Sequence, residues 1–174
     1  MSDPFETLHV EATFELASEF LAERHRELSL ALHPDRHAGK SASERRASLS
    51  SAIEVNAAYR QLRDPLQRAE ALLERYGVKP EEGREPPADP AFLMEILELR
   101  ETLGDAAKRR DRATVDRLVA EQKLEEQKAI AELATRFRGY SSGDDARELL
   151  VTLGRLRYLK RFFTEAEAWI DDWD

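Results

Sequence analysis

The sequence predicts an all-α protein, an N-terminal helical hairpin followed by a C-terminal three-helix bundle. Apolar residues recur at three- and four-residue spacing over long segments, as amphipathic helices require. No segment shows the apolar–polar alternation of a half-buried strand. Only seven Gly and seven Pro occur in 174 residues, and several gather between positions 78 and 90, where they divide the chain in two.

The first helix is predicted over about 13–32, where Leu21, Leu28 and Leu32 recur at helical spacing with Phe14, Ala17 and Ala31 nearby. Pro34 ends it, because the residue before a proline is pushed away from the α region, so His33 is already leaving the helix. A loop through Gly39 follows. The second helix starts near Ser41 or Ser43, with Ser43 a candidate N-cap, and runs to Leu62 with Ile53, Ala57 and Leu62 facing inward. Asp64 then caps a short helix from Pro65 to Tyr76, since proline suits the first helical position, and Gly77 stops it.

Pro80, Gly83, Pro86, Pro87 and Pro90, interspersed with charges, make 78–90 a linker between units 1–77 and 91–174. Beyond it three helices are expected, at about 90–103, 105–137 and 144–173, with breaks at Gly104 and at Gly139–Gly143. Connections this short join antiparallel neighbours in a bundle. The long middle helix alternates charge signs, as a solvated bundle face does, and Trp169 and Trp173 lie one turn apart as core residues.

Charge and composition exclude several function classes. Lys and Arg total 27 against 35 Asp and Glu, a net charge of −8, which opposes attraction to nucleic acid. Residues 1–90 carry −5 and 91–174 carry −3, so neither half is a basic module. Arg109, Arg110 and Arg112 are diluted by Asp105, Asp111 and Asp116. No apolar run approaches the roughly 20 residues that span a bilayer, and Met1–Pro4 lacks the features of a secretion signal, so a cytoplasmic protein without membrane contact is expected. With no cysteine there is no disulfide, thiol nucleophile or thiolate metal site.

The sharpest local signal is His33-Pro34-Asp35, placed between two long helices and followed by Arg36. Pro34 stiffens the turn, Asp35 offers an acceptor for an arginine, and His33 can donate or accept a hydrogen bond. His33 and His37 are also spaced as a metal-binding pair, but Pro34 breaks the helix that would align them, and no clear third ligand follows. No nucleophile stands in a recognisable turn and there is no phosphate loop, so an enzyme is not expected; a hydrolase using His33 and His37 is the enzymatic alternative.

With this motif, Glu54-Val55-Asn56-Ala57-Ala58-Tyr59-Arg60-Gln61-Leu62 and Asp64-Pro65 with Arg68-Ala69, residues 5–77 resemble the J-domain of the DnaJ family. The resemblance implies that His33, Pro34 and Asp35 engage a DnaK-type ATPase chaperone and promote its ATP hydrolysis. It also implies that Arg24 and Arg26, with His25 beside them, assist by electrostatic steering. The pattern departs from the family at Glu27 and Ala31, where many J-domains carry a basic side chain.

Between Pro90 and Asp105 one helix carries two apolar edges. Phe92, Ile96, Leu99 and Leu103 form a stripe that can fill a core, while Leu93, Met94, Leu97, Glu98, Glu101 and Asp105 share an arc of about 140° if the helix persists past Gly104. The segment, with Leu62-Arg63, Pro65-Leu66, Arg68-Ala69-Glu70 and Leu156-Arg157-Tyr158-Leu159, resembles the HscB co-chaperones. That resemblance implies an adaptor that needs no cofactor, stimulates an HscA-type ATPase and delivers the iron-sulfur scaffold protein IscU. The client face it implies is Leu93, Met94, Leu97, Glu98, Glu101 and Asp105, with Tyr158 nearby. Asp105 stands where glutamate is more frequent and Tyr158 where another aromatic can occur, and the absence of cysteine favours the compact bacterial arrangement over longer eukaryotic relatives. A J-domain adaptor for a different client is the alternative.

Overall fold

The computed structural model describes residues 2–37, 39–78, 90–140 and 143–173. It is helical, with no strand among the described residues. The chain separates into two compact units, Met1–Gly77 and Val78–Asp174. The expected linker falls almost wholly on 79–89, outside the described residues, as do Ser141 and Ser142 of the last expected break.

The first unit holds α1 (Pro4–Leu8), α2 (Ser18–Ala31), a 3-10 turn (Pro34–His37), α3 (Ala42–Arg63) and α4 (Pro65–Arg75). α1 was not expected from the sequence. It is a single turn started by Asp3, whose carboxylate accepts from the amide of Phe5 at 2.8 Å, and it lays Phe5 and Leu8 into the core against α3. α2 begins at Ser18 rather than near Thr13, because Phe14 drops out of helical register to become buried under Arg68.

Arg68 is itself buried, and its guanidinium donates to the carbonyls of Leu16 (3.4 Å) and Leu62 (3.2 Å) while lying 5.0 Å from the centre of the Phe14 ring. It thereby ties the segment before α2 to the α3–α4 corner. Burial lowers its pKa, and the Asp64 carboxylate opposes that shift.

Ser41, not Ser43, caps α3 in a reciprocal capping box: Ser41 Oγ accepts from the Glu44 amide at 3.3 Å and Glu44 accepts from the Ser41 amide at 2.9 Å. The inward residues of α3 are Val55, Ala58 and Leu62. Leu62 is as expected, but Ile53 and Ala57 face solvent, because α1 and α2 both pack on the opposite arc of the helix. Asp64 caps α4 through the amide of Leu66 at 2.9 Å, and Gly77 beyond its end takes the left-handed φ of +75° that a side chain would strain.

The second unit is a three-helix bundle of α5 (Pro90–Lys108), α6 (Arg112–Arg138) and α7 (Gly143–Asp171). Gly104 is not a break. α5 runs through it, and the turn comes at Arg109–Asp111, where Arg110 adopts φ of +54° and Asp111 caps α6. A lone glycine weakens a helix by only about 1 kcal/mol, and the burial of Leu103, Ala106 and Ala107 on either side of it outweighs that. Leu103, Ala106, Val115, Leu118, Phe162 and Ala166 make the core near this turn, with Trp169 and Trp173 packed against it. The outer face of α6 carries local ion pairs such as Arg112–Asp116 (3.0 Å) and Arg117–Glu121 (2.8 Å).

Candidate functional site

Two surfaces stand out, one in each unit. In the first, the turn after α2 is held from below. Ser48, buried in the middle of α3, donates to the carbonyl of Leu32 at 3.1 Å, satisfying one of the helix-end carbonyls that α2 leaves open. The amide of Arg36 donates to the carbonyl of His33 at 3.0 Å, and the turn Pro34–His37 packs on α3. Sequence reasoning missed Ser48. Its signal was a small hydroxyl at a core-facing position of an otherwise apolar stripe.

On this support the three motif side chains are presented outward. The Asp35 side chain is 91% exposed and that of His33 55% exposed. His33 Nδ1 accepts from the Asp35 amide at 3.3 Å, which fixes the ring and leaves Nε2 as the donor of the neutral imidazole. Asp35 Oδ2 lies 3.6 Å from the same Nδ1.

The flanking basic residues are more engaged than the motif. Arg24 pairs with Glu27 at 2.6 Å and Arg26 lies 3.9 Å from Glu23. His25 belongs to the α2–α3 seam: its Nε2 is 2.8 Å from Asn56 Oδ1 and its ring stacks on Tyr59 at 4.3 Å between centroids.

In the second unit, α5 divides its faces as the two-edge pattern implied. Ile96 and Leu103 are buried, with Phe92 and Leu99 partly so. On the far side Met94 and Leu97 are each 59% exposed, Leu93 is half-buried, and Glu98, Glu101 and Asp105 are exposed. Because α5 continues through Gly104, Asp105 stays on the same helical arc, where it pairs with Lys108 at 3.4 Å. Tyr158 of α7 lies edge-on to Phe92 with centroids 5.9 Å apart, which places it at the α5 border. Glu98 also borders a cleft of about 580 Å³ between α5, α6 and α7, floored by Phe92, Ile96 and Leu159, with Glu95 and Glu125 on its walls.

Among the described residues no group of three or more His, Cys, Asp or Glu converges as a metal site. No helix among them is long and apolar enough to cross a membrane.

Residues 88–167 match the family described as the HSCB C-terminal oligomerisation domain. The co-chaperone protein HscB homologue of Burkholderia vietnamiensis is 35% identical over 167 residues, covering 96% of this chain and 93% of the relative. That of Bordetella parapertussis is 40% identical over 150 residues, 84% of this chain and 87% of the relative. Among solved structures, the chaperone HscB from Vibrio cholerae superposes with a TM-score of 0.81 at 27% identity over 98% of this chain and 99% of its own. Human co-chaperone protein HscB superposes with a TM-score of 0.84 at 25% identity over 97% of this chain and 82% of its own. The hairpin is therefore a J-domain joined to a C-terminal helical bundle, and the chain belongs to the HscB co-chaperone family.

Proposed function

We propose that this protein is a non-enzymatic adaptor that stimulates ATP hydrolysis by a DnaK- or HscA-type chaperone and delivers an IscU-type iron-sulfur scaffold to it. The observation that carries the reading is the exposure of Met94 and Leu97 on a helix whose opposite stripe already fills the bundle core. A helix hydrophobic on a second face leaves an apolar patch in water, and such patches mark contact with other proteins.

The first unit, 1–77, supplies the ATPase contact and the second, 91–174, the client contact. Asp35 presents a carboxylate to a partner arginine, Pro34 holds the turn in one conformation, and His33 offers Nε2 as a donor. Arg24, His25 and Arg26 border this contact in a lesser role, since their polar groups are already engaged. On α5, Leu93, Met94 and Leu97 with Tyr158 form the apolar centre of the client face, and Glu98, Glu101 and Asp105 form its acidic rim. The cluster is the client's cargo, so the adaptor needs no cofactor of its own, and the cytoplasm is its place of action.

The test is the steady-state ATPase rate of an HscA-type chaperone with this protein alone, with IscU alone and with both. Stimulation by each, and more than the product of the two when they are combined, is the expected result. A rate unchanged by this protein overturns the proposal.

A further inference from the structure

The J-domain reading assigns steering to the basic face of α2, yet α2 carries three acids, Glu19, Glu23 and Glu27, against two bases, Arg24 and Arg26. Both bases sit beside acids of their own helix. α2 therefore offers a partner no net positive field.

α3 offers something different. Leu49 and Ile53 are each 59% exposed, one helical turn apart, so they form a continuous apolar strip rather than scattered single residues. The strip adjoins the motif turn. Leu49 directly follows Ser48, the residue that holds the carbonyl of Leu32 and with it the base of the turn. With Ser48 at zero and about 100° per residue, Asn56 falls near 80°, Leu49 near 100° and Ile53 near 140°. The core residues Val55 and Leu62 fall near −20° and −40° on the same scale. Leu49 and Ile53 thus open on the side where Asn56 meets His25. Arg46 and Arg60, near 160° and 120°, frame the strip, and both are exposed.

We propose that this protein docks on its ATPase partner chiefly through α3: Leu49 and Ile53 seat on an apolar strip of the DnaK-type chaperone, next to the site that receives His33, Pro34 and Asp35, and Arg46 and Arg60 meet acidic groups at its edge. The inference rests on the J-domain reading above. It assigns affinity to α3 and triggering to the motif turn, so the two are separable by experiment.

The test titrates the ATPase of a DnaK-type chaperone with the full-length protein and with three variants: Leu49→Ser/Ile53→Ser, His33→Gln, and Leu124→Ser. Leu124, 58% exposed on α6, controls for removing an exposed leucine elsewhere. The α3 double variant is expected to raise the concentration for half-maximal stimulation about tenfold or more, as loss of two central contacts does. Leu124→Ser leaves that concentration within about twofold, and His33→Gln gives no stimulation at any concentration. Circular dichroism and thermal unfolding on the same samples verify folding, and a conservative counterpart of the double variant, Leu49→Val/Ile53→Val, keeps the strip apolar and is expected to titrate close to wild type.

If His33→Gln is inactive but the α3 double variant titrates like wild type, the docking proposal is overturned and the J-domain reading stands. If His33→Gln stimulates fully, or wild type does not stimulate at all, the J-domain reading falls and the proposal with it. Should the double variant instead abolish a dimer seen by sedimentation and leave the titration unchanged, the strip belongs to a second copy of this chain.

Discussion

Replacing Met94 and Leu97 together by alanine separates client binding from folding. Each side chain is 59% exposed, so about two-fifths of its burial contributes to stability. Full burial of a side chain this size contributes about 1.5–3 kcal/mol, which leaves about 0.6–1.2 kcal/mol for each. Alanine is the best helix former and returns a few tenths, so the double variant should lose only about 1–2 kcal/mol. The contrast is Leu103→Ala with Leu118→Ala: these side chains are buried, and each substitution should cost about 2–5 kcal/mol. Binding should rank the variants the other way. Truncating two apolar residues at the centre of an interface weakens it about a hundredfold, or about 2.7 kcal/mol. The assay is IscU titration by calorimetry beside urea unfolding of the same preparations. A loss of stability as large as that of the core pair would place Met94 and Leu97 in the interior, and unchanged IscU affinity in the folded variant would refute the client face.

Three further outcomes follow from particular contacts. His33→Gln and Asp35→Asn should abolish ATPase stimulation while leaving helical content and IscU affinity intact, because both side chains are exposed on a turn that Ser48 and the backbone hold; stimulation by either folded variant contradicts the assigned contact. Arg68→Ala should destabilise the first unit by about 2–4 kcal/mol, since it strands the carbonyls of Leu16 and Leu62 and uncovers Phe14; urea unfolding showing less than about 1 kcal/mol refutes the clamp. The Asp111 carboxyl is held below its ordinary pKa first by the Thr114 hydroxyl (2.7 Å) and then by the Thr114 amide (3.1 Å). A depressed folded pKa stabilises above the unfolded value of about 3.9 and is lost as pH falls through the folded value. Asp111→Asn should therefore flatten the acid limb of unfolding below about pH 4, and an unaltered limb contradicts the assignment.

Much of this protein was legible because local chemistry decides it. Pro34, Asp64-Pro65 and Gly77 constrain backbone angles wherever they occur, so the motif turn and the ends of α2, α3 and α4 fell within a few residues of expectation. The two edges of α5 were equally readable, because 100° steps fix which residues share a face.

Periodicity does not say which face turns inward. On α3, Ile53 and Ala57 fit an apolar stripe as well as Val55 and Ala58 do, and only the arrival of α1 and α2 on one arc buried the latter and left Ile53 and Leu49 in water. Gly104 had the form of a stop, but Leu103 and Ala106 packing against α6 and α7 carried the helix through it. Phe14 had the spacing of a helical residue, and Arg68, distant in sequence, drew it out of the helix to cover a buried guanidinium. Backbone stops, caps and relative faces are set by neighbours along the chain. The choice of buried face, the fate of a weak stop and the burial of a charge depend on groups far apart in sequence, which only the folded structure brings together.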